Sequence, residues 1–328
     1  MLTYSGALST LQQMSGVLST DTTNSALLIQ FWNDSRRTVS SIRGGNWPWL
    51  EIEKTVDTVA DQDYIYIPND MRRVTSVRTV IGTGNTATIY IPRLVFDEQK
   101  WQLVLALRLG SNQYPYFVFQ QGQKLKLNPI PSTTGVHTVL IGRRQTQDVN
   151  IPDYSTGSIV SIANGATTVT GTGTSWTSGM AGQYVRITQT AAANGGDGYW
   201  YEIASITDST HLELVKVYEG TSIAAATAAY TMGQITYEPE AYQMAPIYRA
   251  LAQYWDFKEN MVLSERYWLS YDGGQEIGKR ETPAGLIGQM LEEAGETFDG
   301  HYISPGNKDF LGWPGDYWYP WQQASGLN

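Results

Sequence analysis

Apolar residues recur at helical spacing in two stripes near the start of the chain, separated by a polar break. This pattern predicts two antiparallel helices. Thr23 or Asn24 is expected to cap the second helix, and Gly44 with Gly45 to end it. The stripe positions are Leu8, Leu11, Ser15 and Leu18 in the first helix, and Leu28, Phe31, Trp32, Val39 and Ile42 in the second.

Between residues 51 and 144 the period is mainly two, in short segments bounded by Gly, Pro or Asn-Asp. Such segments predict a small antiparallel β-sheet, with a tight turn at residues 121–123. The interval 96–110 instead predicts a helix, with Asp97 as its N-cap and Gly110 as its end. The residues expected along one side of that helix are Trp101, Val104, Leu105 and Arg108.

The stretch 153–234 differs in kind, because its only basic residues are Arg186 and Lys216 and no helical stripe crosses it. Short Thr/Val/Ile segments alternate there with Gly, Asn and Ser-Thr turns, which predicts a β-sandwich or barrel of about six strands. A helical stripe then returns. Its positions are Met244, Ile247, Leu251, Trp255, Val262 and Leu269.

These changes of pattern predict an α+β protein with an interrupted core. Residues 1–152 and 235–283 are expected to form one helical bundle with the small sheet, and residues 153–234 an all-β domain inserted at a surface turn. Residues 284–328 are rich in Gly and aromatic residues and lack periodicity. We expect them to form an extended C-terminal arm that orders on another subunit, because such a segment cannot bury its rings alone.

Charge and cysteine content narrow the possible functions. The formal net charge of −9 provides no evident basic face for nucleic acid. The absence of cysteine excludes disulfides and thiolate metal sites. The first thirty residues lack the pattern of a secretory signal. The sequence contains no run of about 18 apolar residues, so no membrane span is predicted.

Motifs for catalysis are weak. There is no phosphate-binding loop and no G-x-S-x-G elbow, and His137, His211 and His301 are far apart without ligand spacing. The acidic pairs at 97–98 and 292–293 are the candidates for a glycosidase, but the first pair is explained by its place at a helix N-terminus. We therefore expect no catalytic, cofactor-binding or metal-binding residues.

Aromatic residues are more numerous than one core needs, with 11 Trp and 21 Tyr. Aromatic side chains are enriched at protein interfaces, so part of this surplus predicts partner binding. Pro48 stiffens the link between two tryptophans near the second helix, and the C-terminal segment carries the other cluster. The predicted partner-binding residues are Trp47, Trp49, Trp313, Tyr317, Trp318 and Trp321.

The order of several segments resembles the head-to-tail adaptor, or connector, proteins found in the neck of tailed bacteriophages. The resemblance covers roughly residues 5–152 and 235–282. It is carried by the N-terminal helix pair leading into "RGGNWPWLE", by "DYIYIPNDMRRVTSV", "FDEQKWQLVLAL" and "YPYFVFQQGQKLKLNPIPSTTGVHTVLIGRR", and by the closing "YEPEAYQMAPIYRALAQYWDFKENMVLSERYWLSYDGGQEIGKR". The predicted inserted domain is similar to β-modules of other phage structural proteins, through "GTGTSW" followed by "YEIASITDSTHLEL".

The resemblance implies a non-enzymatic virion protein at the head–tail junction, assembled in the cytoplasm of the host bacterium. It implies a ring, of twelve copies by the family pattern, that binds the portal protein, extends the DNA channel and docks a tail tube or nozzle protein. The inserted domain is expected to contact a tail fibre or the capsid. DNA would pass through without specific binding, in keeping with the acidic charge, and neither a membrane nor a cofactor is implied.

Two alternatives remain open from the sequence. The first is another tail or nozzle component with a carbohydrate-binding β-module, in which Trp176, Tyr199, Trp200 and Tyr201 would stack on sugars. The second is a cell-wall hydrolase carried by the particle, which would use Glu292 or Glu293.

Overall fold

The chain folds into α-helices and β-sheets, as the α+β prediction requires. The computed structural model describes residues 1–42, 47–82, 87–189, 195–273 and 285–293. The helices in these segments are α1 (Tyr4–Ser15), α2 (Thr22–Ser41), α3 (Glu98–Ala106), α4 (Met244–Phe257), α5 (Met261–Asp272) and α6 (Gly285–Glu293).

The strands fall into three sheets. The first two are formed by β1 (Glu51–Asp57), β2 (Tyr64–Tyr66), β3 (Met71–Ile81), β4 (Thr88–Tyr90), β5 (Arg93–Val95), β6 (Phe117–Gln121), β7 (Lys124–Asn128) and β8 (His137–Arg144). The third is formed by β9 (Ser158–Ile162), β10 (Thr168–Thr172), β11 (Tyr184–Ile187), β12 (Trp200–Asp208), β13 (His211–Leu214), β14 (Ile223–Ala228) and β15 (Tyr230–Gly233).

The first two helices are where the apolar stripes predicted them, but their ends differ. The side chain of Asp21 caps α2 by accepting the backbone N–H of Asn24, so Thr23 and Asn24 lie inside the first turn. The α2 helix ends at Ser41, and the predicted stop at 44–45 lies outside the described residues. The α1 helix ends at Ser15 and is capped by Gly16, whose φ of 73° suits glycine, and Leu18 beyond it is exposed.

The C-terminal helical stripe is two helices rather than one. Asn260 caps α5 by accepting the Leu263 N–H, and Glu259 just before it has a φ of 57° that an α-helix cannot contain. Val262 is therefore on an exposed turn of α5 and not in the core. Pro246 lies in the first turn of α4, where its missing N–H costs no hydrogen bond and no kink is needed.

Helices α1, α2, α4 and α5 share one hydrophobic core, built around Leu11, Leu28, Trp32 and Leu251. A second cluster joins them to α6, whose Ile287, Met290 and Leu291 are buried. Residues 285–293 therefore form a packed helix. They were predicted to belong to an extended arm that begins at residue 284, and this part of the prediction is wrong. Residues 294–328 lie outside the described part of the chain.

Two four-stranded sheets enclose the next core. One has the order β1-β8-β3-β4 and is antiparallel; the other has the order β2-β7-β6-β5. The pair β5–β6 is parallel, contrary to the all-antiparallel prediction. The reason is the crossover through α3, which returns the chain in the same direction.

Helix α3 starts at the predicted N-cap, because the Asp97 carboxylate accepts the Gln99 N–H. It ends at Ala106 rather than Gly110, since Arg108 has a φ of 50°. Only Trp101 and Val104 of its predicted face are buried, against Phe119, whereas Leu105 is exposed and Arg108 lies beyond the helix. The tight turn at residues 121–123 is confirmed between β6 and β7, with Gly122 at a φ of 59°.

The third sheet has seven strands in the order β14-β9-β10-β13-β12-β11-β15. Bulges interrupt the pairs β9–β10, β12–β13 and β9–β14, which bends the strands around a separate hydrophobic core. Residues Ile159, Val169, Ile203, Leu212 and Met232 belong to that core. These strands thus form one continuous sheet of seven strands, whereas the sequence predicted about six strands.

Candidate functional site

The two tryptophans predicted to bind a partner near the second helix have different environments. Trp47 is fully buried, and its indole N–H donates to the Val39 carbonyl at 2.8 Å. Its ring stacks on Trp49 with centroids 4.4 Å apart. Trp49 is half-buried and continues this contact toward Tyr242, 6.1 Å away. The stack therefore offers only part of Trp49 to a partner. The predicted residues Trp313, Tyr317, Trp318 and Trp321 lie outside the described residues.

A buried ion pair holds α2 against both chain segments that flank the seven-stranded sheet. The Arg36 guanidinium is 1% exposed, and its Nε lies 3.4 Å from Oε1 of Glu238. Its Nη1 donates to the Gln147 carbonyl at 2.9 Å, and its Cζ lies 5.1 Å from the Trp32 ring centroid. One side chain thus ties the helices to residues just before and just after the sheet.

The chain enters and leaves the seven-stranded sheet side by side. Tyr154 and Met232 exchange backbone hydrogen bonds of 2.8 Å in both directions. Gln234 reinforces the junction, because its side-chain oxygen accepts the N–H groups of Asn150 and Ile151 at 2.8 and 3.0 Å. Closely spaced ends are what a unit needs in order to sit in a surface loop of another fold.

A second contact between this sheet and the rest of the chain is aromatic and polar. The Arg144 guanidinium lies 4.0 Å from the ring centroid of Tyr237. The Tyr184 hydroxyl lies 3.3 Å from the Tyr237 hydroxyl and 3.4 Å from a Glu202 carboxylate oxygen. Burial raises the pKa of Tyr184 above its ordinary value, so this hydroxyl stays protonated and can act as a donor.

A groove of about 620 Å³ opens between β3 of one four-stranded sheet and the β5–β6 pair of the other. Two adjacent arginines, Arg72 and Arg73, form one wall. The apolar lining of the groove includes Leu94, Phe96 and Phe119. Its residues include no Asp or Glu, so the groove suits an occupant that has both rings and negative charge.

Two groups of exposed apolar side chains lie on different elements. The first, called here the α3 group, comes from α3 and the strands before it: Ile89, Ile91, Phe96, Leu103, Leu105 and Leu107. The second, called the helix-end group, comes from the α1–α2 and α4–α5 connections: Leu18, Phe257, Met261 and Val262. Exposed apolar groups of this kind mark surfaces that bind proteins.

The aromatic residues suggested for carbohydrate binding do not form a platform. Trp176 is 3% exposed, and its indole N–H donates to the Tyr230 hydroxyl at 2.9 Å. Tyr201 is also in the core, while Trp200 points to the opposite face of the same strand. Only Tyr199 is well exposed, so these side chains do not present a continuous stacking surface.

The described residues contain no group of three or more His, Asp or Glu side chains that could hold a metal ion. Asp97 of the acidic pair 97–98 is used as a helix cap. Glu292 and Glu293 end α6, and their side chains lie outside the description. None of the helices in the described segments combines the length and the apolar character needed to cross a bilayer.

The groove arginines and the Arg36–Glu238 pair were not singled out from the sequence. The one local signal for the groove is "RR" at 72–73, where two adjacent cations open a strand. The Arg36–Glu238 pair joins positions 202 residues apart, and no spacing rule connects them.

Residues 3–160 match the family described as SU10 adaptor protein. The match covers 158 of the 328 residues, just under half of the chain, and includes α1 to α3 and both four-stranded sheets. It ends within β9, the first strand of the seven-stranded sheet. No curated protein matches the chain. The family match supports a phage adaptor-type structural protein.

Proposed function

We propose that this protein is a non-enzymatic structural component of a tailed-bacteriophage particle and acts as an adaptor at the head-to-tail junction. The observation that carries the proposal is the match of residues 3–160 to the adaptor family. That region includes the groove and the core between the two four-stranded sheets, and its helices α1 and α2 complete their core with α4, α5 and α6.

In this proposal the adaptor forms a ring, with twelve copies as the expected number, that binds the portal protein on one side and a tail tube or nozzle protein on the other. A closed ring needs two different, complementary surfaces on each subunit. The α3 group and the helix-end group supply two separate apolar surfaces for such contacts.

The acidic charge suits a channel through which DNA passes. Twelve copies, each with a formal charge of −9, give a ring a charge of about −108. A negative wall repels the phosphate backbone and keeps DNA from binding as it leaves the capsid. The particle would be assembled in the host cytoplasm, with the adaptor at the head–tail junction of the mature virion.

We further propose that residues 153–234 are a domain inserted into the adaptor core, which the segments 1–152 and 235–283 form together and against which α6 packs. Support comes from the separate hydrophobic core of the seven-stranded sheet and from its side-by-side ends at Tyr154 and Met232. Placed in a surface loop, this domain would face outward and contact a tail fibre or the capsid.

Electron microscopy of the full-length protein, alone and after mixing with the portal protein of the same phage, tests the proposal. We expect closed rings that sit coaxially on the portal. A chain that stays monomeric in the presence of the portal, and that is absent from purified virions by mass spectrometry, would contradict it. Binding of the full chain to a glycan array, with no association with the portal, would instead support the carbohydrate-binding alternative.

The C-terminal segment is part of this proposal as a partner-binding arm that contains Trp313, Tyr317, Trp318 and Trp321. Buried aromatic anchors at interfaces contribute about 2 kcal/mol or more each. Deletion of residues 306–328 should therefore abolish binding to the portal protein while the circular dichroism spectrum is kept. Unchanged association of the deleted chain would remove the arm from the proposal.

A further inference from the structure

The groove between β3 and the β5–β6 pair is a built feature of the fold. Gln120 on β6 belongs to its lining and bonds to β3, since its side-chain oxygen accepts the Val74 N–H at 3.0 Å and its amide donates to the Arg72 carbonyl at 3.4 Å. These hydrogen bonds fix the distance between the two sheets at this point. The groove beside these hydrogen bonds is therefore a cleft of fixed width between the two sheets.

The charge of the groove is opposite to that of the protein as a whole. Arg73 lies with its Cζ 5.5 Å from the centroid of the Phe96 ring, and Arg72 beside it is exposed. Within the described segments no carboxylate lies within ion-pairing distance of either arginine. Phe96 is 67% exposed although it borders the groove. The groove thus combines two cations without acidic partners and an apolar wall that is open to solvent.

One segment of the chain has the complementary composition. Residues 309–321 read "DFLGWPGDYWYPW", with two Asp, six aromatic residues and no Lys or Arg. In an extended chain Asp316 and Trp318 fall on the same side, so one carboxylate and one indole face a binding surface together. This pairing matches an arginine wall beside an apolar wall.

We propose that residues 309–321 of a neighbouring copy bind in the groove formed by Arg72, Arg73, Leu94, Phe96 and Phe119. The 15 residues between the end of α6 and Asp309 can span up to about 50 Å, which is enough to reach another subunit. Segment and groove are two different complementary surfaces, as ring closure requires. This inference rests on the proposed ring, and it names the subunit surface that the C-terminal arm contacts.

Site-specific photo-cross-linking in the full-length chain tests the contact. Phe96 is replaced by p-benzoylphenylalanine, and Phe257, which is 60% exposed on the helix-end group, receives the same replacement as a matched control. The protease Lys-C, which cleaves after Lys and not after Arg, releases residues 309–328 as one peptide, because no Lys follows Lys308. We expect this peptide in cross-links from position 96 and not from position 257. Cross-links from position 96 to other peptides only would overturn the proposal.

The copy that supplies the segment is identified by isotope labelling. Chains with the cross-linker at position 96 are mixed with ¹⁵N-labelled chains that keep Phe96, and the mass of the cross-linked peptide 309–328 is measured. We expect labelled segments attached to unlabelled grooves. If only unlabelled segments are found after the subunits have mixed, the segment binds the groove of its own chain. The proposed contact between neighbouring copies would then be wrong.

A charge exchange tests the recognition itself. The pair Arg72→Glu and Arg73→Glu should lower the cross-link yield roughly tenfold, because two exposed ion pairs become repulsions. Adding Asp309→Arg and Asp316→Arg to the same chain should restore most of the yield, which a chain that had failed to fold would not show. The control pair Arg186→Glu and Arg266→Glu, at exposed arginines elsewhere, changes the net charge equally and should leave the yield unchanged. A loss that the exchange does not rescue would refute the groove as the binding surface.

Failure of this inference and failure of the proposed function give different results. Rings seen by electron microscopy, with cross-links from position 96 to other peptides, would overturn the groove contact and leave the adaptor function intact. Monomers without a 96-to-309–328 cross-link would count against both.

Discussion

The buried Arg36 guanidinium allows a quantitative test of how the helical core is fastened to the segments around the seven-stranded sheet. The change Arg36→Met keeps a long apolar side chain against Trp32 but removes the cation 3.4 Å from Glu238. Glu238 is only 6% exposed, and its other carboxylate oxygen has no hydrogen-bond partner. Leaving one charge of a buried pair uncompensated costs about 3–5 kcal/mol, and we expect a loss of that size in the free energy of unfolding.

The neighbouring residue provides a matched control. Arg37 pairs with Asp34 and, at 3.4 Å, with Asp148, but its side chain is 50% exposed. Exposed pairs contribute about 0–1 kcal/mol because water screens them, so Arg37→Met should lower the free energy of unfolding by less than about 1 kcal/mol. A second control, Arg36→Met combined with Glu238→Leu, removes both charges and should recover much of the loss.

The assay is urea unfolding followed by circular dichroism at one fixed protein concentration, since association shifts apparent stability. The seven-stranded sheet has its own core, so two transitions are expected, and the substitution should lower the midpoint of the one that reports on the helices. If Arg36→Met costs no more than Arg37→Met, or if the double variant is less stable than Arg36→Met alone, the reasoning is refuted.

Three further predictions concern the seven-stranded sheet. Tyr230→Phe leaves the Trp176 indole N–H and the Thr156 carbonyl without the hydroxyl that joins them, and should lower the free energy of unfolding of the sheet by about 1–3 kcal/mol in the same urea assay. Gly171→Ala places a Cβ 2.8 Å from the Trp176 ring, so thermal unfolding should occur at a lower temperature than in a Gly165→Ala control, whose strain comes only from its φ of 80°. Burial raises the pKa of Tyr201 to about 12, so the stability contribution of its neutral hydroxyl is present below pH 10 and is lost as the pH rises from 10 to 12. The free energy of unfolding of Tyr201→Phe should therefore fall less between pH 10 and 12 than that of the unchanged protein, and an equal fall in both would contradict this.

Local patterns identified the secondary structure well where one side of an element is buried. The stripes of α1 and α2 and the cap of α3 were predicted because spacing and capping are local properties. The break between α4 and α5 was missed because Val262 and Leu269 continue the apolar period although both are exposed. Periodicity shows that a face is apolar, but not that another element covers it.

Long-range features were harder to predict. Trp47 was expected at a partner surface, but it is buried in a cluster that also contains residues of α6, a helix in a segment where no periodicity was recognised. The groove depends on how β3 of one sheet approaches β6 of another, and the sequence gives no measure of that distance. The sequence did indicate that the stretch 153–234 differs from its surroundings, because a change of composition and period is visible without knowledge of contacts.

Two of the contacts that attach the seven-stranded sheet to the rest of the described chain bear on how it can move. At the first, its entering and leaving segments lie side by side and Gln234 ties them together. A junction of this kind alone would let the sheet swing as a body. The second contact prevents that, because Arg144, Tyr184 and Tyr237 form a bonded cluster and Lys54 on β1 lies 3.9 Å from Glu202 on β12. A body held at two separate places keeps one orientation, so in the proposed ring a partner surface on this sheet would point in the same direction from every subunit.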